Sequence, residues 1–154
     1  DNPETAFVAN FLGQSNLIKG RIEGTDGDNL VVDLFGQKIA LPKKRSHAVD
    51  NSIYAGIRPE KFRISLVGTP TRGNTLTGGH IEDVSYIGVS TQYQVMMPWG
   101  QEVMVFEQND DGVAPFDKGD EVVISWEPTF TFALRGDEDV EAGLEVNPEE
   151  PEEE

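Results

Sequence analysis

The sequence predicts an all-β domain, a barrel or sandwich of short antiparallel strands, on two observations. Its 16 Gly and 9 Pro lie between short apolar runs, as expected where tight turns join strands. Candidate strands recur about every ten residues, which is typical of sandwiches and barrels rather than of βαβ units. The 154 residues include no cysteine, so the fold must rest on packing without disulfides.

The N-terminal segment, residues 1–16, predicts a short linker helix. Asn2 is a suitable cap, and Pro3 fits the first helical position. Phe7 and Phe11 are four residues apart, which places both on one face of a helix. Because the chain starts without methionine and enters this pattern at once, we expect it to be a domain excised from a longer protein.

The predicted barrel covers residues 17–135, and its first half contains five candidate strands. They are Leu17–Glu23, Leu30–Leu34, Gln37–Leu41, Ile53–Arg58 and Phe62–Leu66. The turn residues of 25–29 predict that the first two strands form a hairpin. Pro59 is expected to stop the fourth strand, because proline cannot donate to a ladder.

Residues 68–75 are rich in Gly, Pro and Thr, which predicts a boundary between two halves of the barrel or two subdomains. A second series of candidate strands follows: Leu76–Tyr86, Ser90–Met97, Gln101–Glu107, Glu121–Trp126 and Phe130–Leu134. The Gly78-Gly79 pair predicts a bulge where a strand bends.

The C-terminal tail, residues 136–154, is predicted to be disordered. It has few apolar residues and holds ten of the 28 acidic residues of the chain, with no basic one. The rest of the chain is also mildly acidic, and the net charge of the whole chain is −16. An acidic domain repels phosphate backbones, so the composition argues against nucleic-acid binding.

Catalytic, cofactor and metal sites are not predicted. The sequence has no Gly-Lys pair, so it lacks the phosphate loop that surrounds ATP in many ATPases. His47 and His80 are its only histidines, too few and too far apart for a transition-metal set. The 109–112 run resembles part of a calcium loop but lacks the alternate ligand spacing, so a turn is expected.

For two groups of large side chains, the sequence leaves two roles open, namely packing in the core and contact with another subunit. Met96, Met97, Trp99, Met104 and Phe106 lie on two strands joined by a tight turn. The second group extends from Trp126 to Phe132. If the domain pairs with a second copy, these are the expected contacts.

Four sequence blocks, in order, resemble one family: the transport-associated OB domain (TOBE) that follows the nucleotide-binding domain in ATP-binding subunits of bacterial ABC importers. The segment 3–16 is similar to the junction pattern F-V-A-x-F-[IL]-G-x-x-N, and 56–60 to the signature G-[IV]-R-P-E. Residues 76–88 resemble L-x-G-x-[IV]-x-x-V-x-[YF]-x-G, and 118–126 resemble G-D-x-V-x-[IV]-x-W. Among the subfamilies, the spermidine and putrescine importers are the nearest.

The resemblance implies an OB-like barrel that regulates or dimerises the ATP-binding subunit and performs no catalysis itself. ATP and Mg²⁺ would be bound by the absent nucleotide-binding domain. The implied partners are that domain, a second copy of the subunit and, indirectly, the membrane permease, at the cytoplasmic face of the membrane. The signature residues, which are possible interface residues, are Gly56, Arg58, Pro59, Glu60, Tyr86, Gly88 and Trp126.

Two other functions remain open at this stage. A domain that senses a small molecule would offer acidic groups to a polyamine, or backbone amides and bases to an oxyanion. A nucleic-acid-binding OB module would need a basic groove with exposed aromatic residues. The sequence does not show such a groove.

Overall fold

The computed structural model describes residues 15–46, 50–108 and 115–135. Residues 1–14 of the predicted N-terminal helix, His47, the 109–112 run and the acidic tail lie outside them, whereas Asn16, predicted to end that helix, begins a strand. The strands of the described part are β1 (Asn16–Asp26), β2 (Asn29–Leu34), β3 (Gln37–Pro42), β4 (Ser52–Ile57), β5 (Arg63–Leu66), β6 (Asn74–Ile87), β7 (Ser90–Met96), β8 (Glu102–Gln108), β9 (Glu121–Trp126) and β10 (Phe132–Arg135). Single 3-10 turns occupy Lys43–Arg45, Pro59–Lys61 and Pro128–Phe130.

The strands form two five-stranded sheets. The first has the order β10-β4-β1-β2-β3, and the second has the order β5-β9-β6-β7-β8. Neighbouring strands are antiparallel in both sheets. The prediction of an all-β fold is therefore confirmed.

One hydrophobic core fills the space between the two sheets. Both sheets contribute residues that are fully shielded from solvent, for example Ile18 and Leu34 from the first, and Leu76 and Trp126 from the second. In β7 such side chains alternate with half-buried ones, because successive residues of a strand point to opposite faces, whereas β4 and β9 are buried along almost their whole length. The shared core joins the sheets into one packed unit.

The chain passes from the first sheet to the second between β4 and β5, at residues 58–62. The predicted boundary at 68–75 lies instead between β5 and β6, which both pair with β9 in the second sheet. The division of the chain into two subdomains at 68–75 stays a prediction. The chain changes sheets at residues 58–62, which is not the position of the predicted boundary.

Several predicted strand ends differ from the observed ones by one to three residues, and proline explains two of these differences. Arg58 was predicted to end β4 and Phe130 to begin β10, but Arg58 precedes a 3-10 turn that starts at Pro59, and Phe130 ends one that starts at Pro128. Proline fixes φ near −65° and has no N–H for a ladder, so it suits the first position of a helical turn.

The predicted bulge at Gly78-Gly79 is confirmed. The register between β6 and β9 shifts between Leu76 and Gly79, and Gly78 has a φ of +88°. A Cβ atom at Gly78 would lie 2.9 Å from Cγ of Pro98. Only glycine fits here without strain, because both the backbone conformation and the close approach of the β7–β8 turn exclude a side chain.

Candidate functional site

The signature turn Arg58-Pro59-Glu60 lies where the chain crosses between the sheets. Pro59 is buried, Arg58 is half-buried and Glu60 is exposed. The Lys61 N–H donates to the Arg58 carbonyl at 3.0 Å, which closes the turn. The structure therefore presents a rigid corner with one charged side chain, Glu60, directed to solvent.

A cleft of about 430 Å³ lies beside this turn. Its lining residues come from the start of β1, the turn and β8: Ser15, Asn16, Arg58, Pro59, Glu60, Met104 and Phe106. Phe106 is 38% exposed and supplies apolar surface at the rim. The cleft thus combines two charged groups with an aromatic ring, a composition suited to contact with a neighbouring protein segment.

Asn16 fixes the floor of this cleft. Its side-chain Nδ2 donates to the Met104 carbonyl at 2.8 Å, and the Met104 N–H donates to Asn16 Oδ1 at 2.8 Å. The amide therefore pairs with β8 in the way a neighbouring strand would, and it links β1 of the first sheet to β8 of the second.

At two other places, a side-chain amide of one sheet likewise pairs with a backbone N–H and C=O of the other sheet. Asn74 exchanges two hydrogen bonds of 2.8 Å with the backbone of Ala40. Gln37 donates to the Thr77 carbonyl at 3.0 Å and accepts from the Thr77 N–H at 2.8 Å. Sequence reasoning missed all three amides as connecting residues, although Asn16 closes the junction pattern of the resemblance.

Gly56 and Trp126 have structural positions. Gly56 is buried in β4, between Leu17 of β1 and Phe132 of β10. Trp126 is fully buried, and its indole Nε1 donates to Thr131 Oγ1 at 2.7 Å. Of the two roles left open for Trp126, core packing is the one that the structure shows.

The other large side chains of the β7–β8 hairpin divide between core and surface. Met97 and Val103 are buried in the core, whereas Phe106 is exposed. Trp99 is half-buried in the connecting turn, where its ring stacks on Phe35 with centroids 4.7 Å apart. Met96 and Met104 are half-buried as well, so contact with a second copy through this hairpin stays a prediction.

Tyr86 and Gly88 lie apart from the signature turn, at the tip of the β6–β7 hairpin. Gly88 has a φ of +64° and Tyr86 is 63% exposed. Ile87 and Val89 at the same tip are 60% and 68% exposed. The tip thus carries three large exposed apolar side chains, of which Tyr86 and Ile87 point to opposite faces of the hairpin because they are neighbours in β6.

A polar group lies on the inner face of the second sheet, near this tip. Burial raises the pKa of the half-buried Glu107 carboxyl, and the backbone amide at Ile64 opposes that rise. Burial also raises the pKa of the Tyr93 phenol to about 12, with the charge of Glu107 adding to the effect. The hydroxyl of Thr91, opposite Glu107 in the β7–β8 ladder, has no hydrogen-bond partner among the described residues.

A second cleft, of about 620 Å³, opens on the first sheet. Glu23, Asp50 and Lys43 are its charged lining residues. The Glu23 carboxylate pairs with Lys38 at 2.6 Å, and Asp50 accepts from the Ser52 N–H at 2.9 Å. The cleft is mixed in charge, with a small excess of carboxylates.

The described histidine, His80, has an exposed side chain whose Nε2 lies 3.2 Å from a Glu82 carboxylate oxygen. Within 15–46, 50–108 and 115–135, no three His, Cys, Asp or Glu residues are grouped so that they would hold a metal ion. No helix in these ranges has the length or the apolar character to cross a membrane.

The sequence matches the family model of the TOBE domain over residues 55–134. A spermidine/putrescine import ATP-binding protein, PotA, of Rubrobacter xylanophilus is 30% identical over 137 residues, which are 87% of this chain and 35% of the relative. The protein of the same name from Acidothermus cellulolyticus is 33% identical over 139 residues, with the same coverage of 87% and 35%. The chain thus spans about a third of the length of these relatives.

A solved structure shares the fold. It is the cytoplasmic molybdate-binding protein ModG with molybdate bound, at a TM-score of 0.63 and 15% identity, covering 78% of this chain and 95% of that one. At this identity the likeness establishes a common architecture.

Proposed function

Because the chain belongs to the TOBE domain family, we propose that it is the regulatory and dimerisation domain of the ATP-binding subunit of a bacterial ABC importer for polyamines. The similarity to spermidine/putrescine import ATP-binding proteins over 87% of the chain carries this proposal. The same coverage, about a third of each relative, leaves room in the longer protein for a domain that binds ATP and Mg²⁺.

The physical role of such a domain follows from tethering. A domain on each ATPase keeps two subunits at high effective concentration while their nucleotide sites open, so the two subunits stay associated through a full cycle of ATP hydrolysis. It shifts the balance between open and closed states if a ligand or partner binds one state more tightly. The chain itself takes no part in the hydrolysis of ATP in this proposal.

The Arg58-Pro59-Glu60 turn and its cleft are the surface that we assign to contact with the neighbouring domain or the permease. The turn is rigid because Pro59 is buried and the Lys61 N–H closes it. The half-buried Arg58, the exposed Glu60 and the exposed Phe106 give this corner two opposite charges and one apolar ring. Such a combination is typical of transient contacts between domains.

The test uses the longer protein that contains this chain, produced with its permease in cells that lack their own polyamine uptake. Uptake of labelled spermidine is measured for the unchanged protein, for Glu60→Lys, and for the surface control Arg72→Ala. We expect Glu60→Lys to reduce uptake several-fold at unchanged protein level, and Arg72→Ala to leave it unchanged. Uptake of another solute, with none of spermidine or putrescine, would overturn the polyamine assignment.

Sensing of a polyamine is a second candidate, favoured by the cleft of Glu23 and Asp50. If spermidine binds there, it raises the melting temperature of the chain, because a ligand that binds only the folded state stabilises it. Asp50→Asn should reduce that shift, whereas Asp83→Asn, outside the cleft, should not. Equal shifts for both variants would indicate non-specific attraction to an acidic protein.

A further inference from the structure

The first sheet carries a second apolar cluster, on the face that points away from the main core. Leu17, Tyr54 and Leu134 form this cluster, and Phe132 packs against it. They come from the neighbouring strands β1, β4 and β10, and Ala55, which follows Tyr54, points to the opposite face and into the main core. We call these four side chains the outer patch. Apolar side chains on such a face gain stability only when a further layer of chain covers them.

Gly56 leaves a hollow at the centre of the outer patch. The ladders place it directly between Leu17 of β1 and Phe132 of β10. A side chain at this position would point to the same face as that of Tyr54, because alternate residues of a strand share a face. Since glycine has none, the surface is recessed between Leu17 and Phe132. Gly56 is nonetheless buried, which fits a large side chain seated over it.

We propose that residues 3–12 form a helix that lies on the outer patch and seats Phe11 in the hollow. Phe7 and Phe11 are four residues apart, so they share one face of such a helix, which Val8 and Leu12 extend. That face matches the aromatic and aliphatic side chains of the patch. The inference concerns contacts within this chain and does not depend on the proposed importer function.

The length and the end point of the segment suit this position. Leu12 is four residues before Asn16, the first residue of β1, and Gly13 lets the chain turn between them. A helix over residues 3–12 spans about 15 Å, enough to cross the three strands of the patch, which are together about 10 Å wide. Phe7 and Phe11 are about 6 Å apart along the helix axis, close to the spacing of neighbouring strands. With Phe11 above β4, Phe7 therefore lies above β10.

Charge also favours this segment. Residues 1–14 contain two acidic residues and no basic one. The outer patch has cations beside its aromatic rings: Lys19 Nζ lies 5.2 Å from the centre of the Tyr54 ring, and the Arg45 guanidinium lies 3.9 Å from that of Phe132. An acidic segment is therefore attracted to this face.

The C-terminal tail, residues 136–154, is the other acidic segment of the chain. It follows β10 directly and is more acidic than residues 1–14. It contains no aromatic residue and few aliphatic ones, so it offers no side chain large enough to fill the hollow. The apolar match therefore selects the N-terminal segment.

A docked helix would also fix the direction in which the chain leaves the first sheet. In a longer protein, a domain joined before residue 1 would then move together with this sheet, because a packed helix transmits orientation and a flexible linker does not. Gly56 of the signature would contribute to that connection through the hollow that it leaves.

Amide hydrogen exchange tests the contact from the side of the segment. A helix of this length is marginal in water by itself, so the amides of residues 5–12 should exchange at least about tenfold more slowly than in an unstructured peptide only if the helix is docked. Phe11→Ala should speed this exchange about tenfold, because it empties the hollow. The matched control Asn10→Ala, directed away from the apolar face, should change it less than about twofold.

Gly56→Val tests the contact from the side of the sheet. Gly56 has no positive φ, so the strand accepts valine, whose side chain fills the hollow. Exchange of residues 5–12 should become at least about fivefold faster. Gly24→Val on β1, where an added Cβ meets open space, should leave it unchanged, and circular dichroism verifies that each variant is folded. In the double variant with Phe11→Ala, exchange should be no faster than in the faster single variant, because both substitutions remove one contact.

Three outcomes would overturn the proposal. The first is unprotected exchange of residues 5–12 in the unchanged chain, and the second is an equal effect of Phe11→Ala and Asn10→Ala. The third is faster exchange in residues 136–147 instead of 5–12 on Gly56→Val, which would assign the outer patch to the acidic tail. If Gly56→Val does not fold, the comparison of Phe11→Ala with Asn10→Ala decides by itself.

Discussion

At the residue scale, the side-chain amide of Asn16 connects the two sheets. It satisfies both backbone groups of Met104 at 2.8 Å and connects the two sheets beside the signature turn. Strand β8 thereby gains a partner on the edge where no backbone strand adjoins it in the described part of the chain.

Removal of this amide should destabilise the domain. In Asn16→Ala the N–H and C=O of Met104 lose their partners in a half-buried place, which costs about 1 to 3 kcal/mol of unfolding free energy. Urea denaturation measures the change, with the exposed Asn51→Ala as a control expected to stay within about 0.5 kcal/mol. Equal effects of the two substitutions would contradict the connecting role.

A second residue-scale prediction concerns pH. Burial raises the pKa of Glu107 above its ordinary value of 4.5, so the folded state binds its proton more tightly than the unfolded state does. The unfolded state then binds fewer protons between the two pKa values, and stability decreases as pH rises from 4.5 through the folded pKa. Above the folded pKa, this contribution of Glu107 to stability is fully lost, and stability no longer changes with pH on its account.

Glu107→Gln should remove this dependence. At neutral pH the variant should be more stable than the unchanged chain, because it has no buried charge, and the gain should disappear at acidic pH. Thermal unfolding over a series of pH values measures it. Glu102→Gln, an exposed residue of the same strand, should show no such gain, and a gain of equal size there would indicate a general effect of net charge.

Other residue-scale features were not predictable from the sequence. Phe35 adopts a φ of 53° in the β2–β3 turn, a left-handed conformation that aromatic residues seldom take. Its ring stacks on Trp99 of the β7–β8 turn, 4.7 Å away. The contact joins two turns that are distant in sequence, so no local pattern indicates it.

At the scale of elements, glycine and proline determined most of what the sequence could predict. The turns and the Gly78-Gly79 bulge follow from the conformations that only glycine adopts easily, and β2 and β9 lie where short apolar runs placed them. The ends of β4 and β10 were wrong because the prolines start helical turns there. The local sequence does not distinguish a proline that only ends a strand from one that also starts a helical turn.

Two glycine substitutions test the account of the bulge in β6. Gly78→Ala should destabilise the domain by more than about 1 kcal/mol, because it adds left-handed strain and a contact of 2.9 Å with Pro98. Gly24→Ala, on β1, meets open space and has no positive φ. It should be neutral or stabilise by up to about 1 kcal/mol, and denaturant unfolding compares the two.

At the scale of the whole molecule, the shared core predicts cooperative unfolding. Both sheets contribute to one cluster of buried residues, so neither retains a core when the other unfolds. Trp99 and Trp126 report on the second sheet, whereas far-ultraviolet circular dichroism reports on both. The two signals should follow one transition in urea, and two separate transitions would instead support independent subdomains on either side of 68–75.

The sequence by itself determined the all-β class, the positions of most strands and turns, and the family resemblance that the comparisons support. These depend on local properties, namely the alternation of side chains, the allowed φ of glycine and proline, and short motifs. The tertiary structure decided which strands pair, that Trp126 belongs to the core, and that β9 pairs with β6 only as far as His80. Those facts depend on contacts between residues far apart in the chain, where many pairings satisfy the same local pattern and only the packing of the whole molecule selects one.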